Sequence, residues 1–163
     1  MIKNGFIYVF FLLALFSSCK AQENERIDLS KIIFHVSRCN GTCPKISLEI
    51  DSCRNIYVDR TYYKTKSEID SLHSGQFEGM LTVDEYQRLI KILEDCDLET
   101  LSFPEVELED VSTKTVIVYY NGKRKQLKSV LIPIKAKDLI DFLSFVGNNK
   151  ELKRTNKIRQ ICI

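Results

Sequence analysis

Two alternating apolar runs, one carrying Ile32, Phe34 and Val36 and the other Ile46, Leu48 and Ile50, flank the stretch Arg38-Cys39-Asn40-Gly41-Thr42-Cys43-Pro44-Lys45, and nothing else in the chain constrains the fold as much. Period-two alternation puts the apolar residues on one side of a strand and polar neighbours such as Ser47 and Glu49 on the other. The segment between the runs must therefore reverse the chain. Gly41 sits midway between Cys39 and Cys43, so a tight turn can bring their Cβ atoms within disulfide range. In the chain-entropy model a ring of about five residues contributes only about 2 kcal/mol, so such a bridge would set shape more than stability. Pro44 fixes its own φ and biases Cys43 to an extended backbone, suited to strand entry. Two unlinked thiols in a loop is the other reading, and export of the chain would favour the bridge.

Export is what the start of the chain indicates. Lys3 supplies a positive charge, and Phe6 to Phe16 is an unbroken apolar run of eleven residues, too short for a stable transmembrane helix, which needs about 20. The run ends in Leu15-Phe16-Ser17-Ser18-Cys19, a loose lipobox in which Cys19 would become the lipidated N-terminus. An ordinary secretory signal or an uncleaved anchor is the alternative. The expected organisation is a lipoprotein signal peptide over 1–18, a flexible tether over 19–30, one domain over 31–147 and a basic tail over 148–163. The part beginning at Cys19 is near the commonest domain size, long enough to bury a core.

Along the domain, a third strand is expected at about 55–63, and a polar connection over 64–80, either an extended strand end or a mobile binding loop, contains His73, Gly75 and Gly79. Thr82 with Glu85 forms a capping box, opening a helix whose face is Tyr86, Leu89, Ile90 and Leu93. Thr115 to Tyr120 is a β-branched and aromatic run expected to form a central strand. Asn121-Gly122 marks a hairpin, and the lysine-rich return strand from Lys123 suits a protected edge. Pro133 precedes a second helix with Leu139, Ile140, Leu143 and Val146 on one face, stopped at Gly147. The pattern predicts an α+β fold: a single antiparallel sheet of about five strands, in the order β-β-β-α-β-β-α, with both helices on one face.

The run Cys39-Asn40-Gly41-Thr42-Cys43-Pro44, followed by Ile46, Leu48 and Ile50, resembles the C-x-G-T-C-P motif of a domain family of unknown function common in lipoproteins of the Bacteroidota. The resemblance spans about residues 30 to 146 and continues through Gly79, the Asn121-Gly122 turn and Pro133. This chain departs from it at Ile46, where the family tends to an aromatic, and at Ser52-Cys53-Arg54-Asn55, where it tends to an Asp-Gly turn. The resemblance implies a fold and an address in the bacterial cell envelope, at the outer membrane on its periplasmic or surface face. It implies no reaction.

Chemistry is sparsely signalled. The formal net charge is +2, so there is no global field pointing to nucleic acid. No nucleophile elbow, H-E-x-x-H, P-loop or dinucleotide fingerprint occurs. The only two histidines are His35 and His73, so any Ser–His or Cys–His chemistry must use one of them. His35, Cys39 and Cys43 recur every four residues, but a structural zinc site wants a fourth ligand, and no metal or other cofactor is expected. Asp84/Glu85 and Glu107/Glu109 read as helix-start and solvent-face acids rather than catalytic pairs. With Cys19 lipidated, five cysteines remain; Cys96 falls on a helix face, and any second bridge among Cys53, Cys96 and Cys162 stays open. The expectation is a non-catalytic, lipid-anchored envelope domain that binds an unknown protein or envelope partner or plays a structural role. Its candidate surface is Asn40, Gly41 and Thr42 of the corner with His73 and Gly75 of the long connection, because loops on a rigid sheet are where binding usually resides. The alternative is a thiol–disulfide redox protein using Cys39/Cys43.

Overall fold

The computed structural model describes residues 26–106, 108–157 and 159–163. The expected signal segment 1–18, Cys19 and Glu107 lie outside the described residues. In chain order the elements are β1 (Leu29–Val36), β2 (Lys45–Asp51), β3 (Asn55–Thr61), β4 (Gly75–Met80), α1 (Val83–Asp95), β5 (Lys114–Tyr120), β6 (Lys123–Ser129), a 3-10 turn (Ile134–Ala136), α2 (Lys137–Gly147) and β7 (Lys153–Arg154). The strands form one sheet in the order β6-β5-β1-β2-β3-β4-β7, with every neighbouring pair antiparallel.

The α+β architecture follows the sequence pattern, but the sheet has seven strands rather than about five. The first extra strand, β4, lies within the stretch expected to be a polar connection, because Gly75 to Met80 has two glycines and buries only Phe77. The second, β7, is two charged residues with no periodicity to read. The lysine-rich β6 does take an edge, and β5 is an interior strand, paired with β6 on one side and β1 on the other.

Alternation decides which face the helices cover. Ile32, Phe34, Ile46, Leu48, Ile50, Ile56, Val58, Val116 and Val118 share one core with Leu89 and Leu93 of α1 and Leu139, Leu143 and Val146 of α2. Their odd neighbours Ile33 and Ile117, paired across β1 and β5, are buried on the opposite face. Helix α1 starts as expected: Thr82 accepts from the Glu85 amide while the Glu85 side chain accepts from the Thr82 amide. At the far end of α2 the buried Arg60 of β3 donates to the carbonyl of Gly147, the last helical residue, and to that of Asn149 just beyond it.

The antiparallel order has a consequence for the connections. β1, β3 and β6 end, and β2, β4 and β5 begin, at the same end of the sheet. That end therefore carries the corner 37–44, the loop 62–74, the later part of the connection into β5 from Pro104 to Thr113, and the link 130–133; the opposite end carries tight joints at 52–54, 81–82 and 121–122 and the start of that connection, where Glu99 pairs with Lys123.

Candidate functional site

At the loop-bearing end, strand order sets the arrangement: the connection entering β5, then the corner between β1 and β2, then the loop between β3 and β4. The corner is tied to both neighbours. Arg38 donates to the carbonyl of Lys66 and stacks its guanidinium 4.2 Å from the centre of the Tyr63 ring. Lys66 in turn reaches the Asn40 side chain at 3.5 Å. On the other side the Asn40 amide donates to the Asp110 carbonyl at 3.5 Å, and Ser37 exchanges bonds with Ser112 and Thr113.

The Sγ atoms of Cys39 and Cys43 lie at bonding distance, with their Cα atoms 5.5 Å apart. Both residues are half-buried, whereas Asn40 and Thr42 between them are exposed. A Cβ on Gly41 would sit 3.4 Å from the Cys39 sulfur, in ordinary van der Waals contact. With the two sulfurs joined and His35 turned to the Ser47 hydroxyl at 2.9 Å, the three residues weighed as zinc ligands do not converge. Cys53, Cys96 and Cys162 are free thiols.

His73 is exposed on the loop. Its Nδ1 lies 2.6 Å from the Asp70 carboxylate, and its ring meets Tyr62 edge-on at 6.4 Å. That hydrogen bond, with lesser help from the nearby imidazole charge, holds the Asp70 carboxyl below the usual carboxylate range. Gly75 belongs to the frame rather than to the exposed surface. Its φ is +132, and a Cβ there would come 2.7 Å from the Arg154 guanidinium, which donates to the carbonyls of Ser71 and Leu72. The structure thus brings Asn40, Gly41 and Thr42 together with the loop that carries His73, and sets Gly75 behind that loop.

Sequence reading missed the residues that join these segments, Arg38, Tyr63 and Lys66, because their contacts depend on strand order. It also missed four exposed apolar side chains: Ile69 and Leu72 in the loop, and Leu108 and Val111 in the connection. Leu72 is 77% exposed, and an isolated leucine in a polar stretch was the one available signal. Beyond the corner, an open cleft of about 870 Å³ is lined by Glu105, Val106, Leu108, Thr113, Lys128 and Val130.

The paired histidine and serine, His35 and Ser47, face away from the helices. Burial, with Lys45 adding to it, pushes the His35 pKa down, so the imidazole is held neutral. Ser47 is buried, and the side chain next to it across β3 is Asp59, beyond the serine rather than behind the histidine. A nucleophile–base–orienter relay needs the acid on the histidine. Asp84 and Glu85 lie in the first turn of α1, with Glu85 engaged in the cap.

A family model described as "Domain of unknown function (DUF6438)" matches residues 30–147, well over half of the chain. No curated protein matches it.

Proposed function

We propose, from the premise that this chain belongs to the family described as "Domain of unknown function (DUF6438)", that it is a non-catalytic binding module held in the bacterial cell envelope by a lipid on Cys19. It engages a protein partner through the loop-bearing end of its sheet. The observation that carries this reading is the set of apolar side chains on either side of the disulfide corner: Ile69, Leu72, Leu108 and Val111 are 46% to 77% exposed. They come from two segments that Arg38, Asn40 and Ser37 tie to the corner. Loops placed by a rigid sheet are where binding usually resides, and these four side chains stand on such loops. The anchor rests on the lipobox-like Leu15 to Cys19 and on the polar residues that follow it. Several acyl chains would hold the module firmly, where one would be marginal.

Thiol–disulfide exchange at Cys39/Cys43 is the second reading. In its favour, both cysteines are half-buried rather than enclosed, and Arg38 and Lys45 flank them in sequence as cations that favour a thiolate.

The test combines intact mass with site-specific photo-crosslinking in membranes of the native host. A lipid adduct on a chain starting at Cys19, with a discrete crosslinked partner from positions 72 and 108 but not from position 54 at the opposite end, is the expected result. An unmodified Cys19 would remove the anchor, and equal crosslinking from both ends would remove the binding face. Turnover of a disulfide substrate that disappears in C39S/C43S would put the redox reading first.

A further inference from the structure

The sheet face away from the helices holds a feature that the loop-bearing end does not explain. Glu49 lies across from Tyr57, and Tyr57 across from Glu78, while Gln76 is in the next row on β4. Glu49 is only 5% exposed, and within the sheet Lys31 approaches it at 3.9 Å. The C-terminal segment completes this arrangement. After β7 pairs with β4, the Thr155 amide donates to the Gln76 carbonyl at 2.9 Å, and Lys157 reaches Glu78 at 3.8 Å. Arg159 then donates to the Glu49 carboxylate with its guanidinium 3.8 Å from the centre of the Tyr57 ring.

Three properties mark this as an occupied site rather than an ordinary packed end. Glu49, Tyr57, Gln76 and Glu78 all lie within residues 30–147, and apart from Lys31 at 3.9 Å from Glu49 the cations that meet them, Lys157 and Arg159, lie beyond. The Arg159 side chain remains 45% exposed although its carboxylate partner is buried, so the cation can leave more easily than the socket can collapse. And the outer edge of β4 is only partly claimed: β7 pairs two of its residues and Thr155 bonds a third, against six on the β3 side.

We infer that the end of the chain beyond β7, residues 155–163, is the resident occupant of a docking site, and that this site takes an extended, arginine-bearing segment of another protein laid along Gln76 and Glu78 of β4. Main-chain bonds to β4 would supply affinity, and a guanidinium on Glu49 and Tyr57 would supply selectivity. The segment's own attachment keeps the site filled at high effective concentration until a competitor displaces it. The inference does not depend on the corner being a binding surface.

The test is fluorescence anisotropy with a labelled peptide of residues 155–163 carrying C162S, titrated with the full chain as wild type, K157A/R159A and K157A/R159A/E49Q. The double variant should bind at least tenfold more tightly than wild type, and E49Q should return binding to within about threefold of it. Equal binding to wild type and double variant, binding to neither, or equal binding of a scrambled peptide overturns the inference. If the triple variant is unfolded at the assay temperature, K157A/R159A/Y57A replaces it with the same expectation. A wild-type dimer that K157A/R159A abolishes would place the segment between copies and would also overturn it.

Discussion

Arg60 closes the C-terminus of α2 through Gly147: one guanidinium nitrogen lies 3.2 Å from the Gly147 carbonyl and 2.9 Å from that of Asn149. The end of a helix carries partial negative charge, so a cation placed there is favourable. The ring of Phe77, 4.1 Å away, covers the group. Burial pushes the Arg60 pKa down from its ordinary value. Its Nε is the single buried side-chain nitrogen or oxygen without a hydrogen-bond partner among the described residues. R60A should therefore cost about 3 kcal/mol, since each carbonyl left unpaired in the interior costs about 1–3 kcal/mol. R60K should cost less, because an ammonium can still reach one carbonyl. Urea unfolding of the three proteins checks the order.

Joint replacement of Cys39 and Cys43 by serine should loosen the corner and leave the sheet folded. A ring this small contributes about 2 kcal/mol in the chain-entropy model. Hydrogen exchange should rise at 37–44 and at the segments tied to it, 62–66 and 110–113, with β2 and β3 unchanged. An unfolded double mutant would show that the bridge supports the core.

His35 should make the protein less stable in mild acid. Its folded-state pKa is depressed by burial and by Lys45, so the unfolded chain binds the proton more readily. Stability is then full above the unfolded histidine value of about 6.5 and declines as pH falls below it. H35Q, which keeps a partner for Ser47, should flatten the slope between pH 7 and pH 5. Equal slopes in melts of the two proteins would assign the effect elsewhere.

The free thiols should separate into two classes. Cys53 and Cys162 are exposed, whereas Cys96 is buried and its Sγ lies 3.2 Å from the Lys135 carbonyl. Burial, with Asp138 and Asp95 adding to it, pushes the Cys96 thiol up. Alkylation at pH 8 should label 53 and 162 within minutes and 96 only after denaturation, as peptide mass mapping would show.

What could be read from sequence was local. The capping box of Thr82 and Glu85 and the Asn121-Gly122 hairpin, with φ of 47 and 71 at its two residues, each arise from neighbours in the chain and were legible for that reason. β4 was not, because its pairing with β3 compensates for a glycine-rich sequence of low strand propensity. The corner was legible as a turn with two cysteines. Its partners Tyr63 and Lys66 were not, because they lie some twenty-five residues away and reach Arg38 and Asn40 only once β2 has paired with β3.

The family's shared unit ends at residue 147, but this chain's folding does not. Asn149 supplies a carbonyl to Arg60, Leu152 fills the space that the missing side chain of Gly79 leaves, 2.5 Å from where a Cβ would stand, and Arg154 pairs with Phe77 across the sheet. The inherited boundary and the cooperative boundary are thus different lines, and the short link after α2 lies between them. A single protease cut in that link would spare every residue the family shares and still strip the helix cap, the filler and the last strand. Cleavage there would act on the whole molecule.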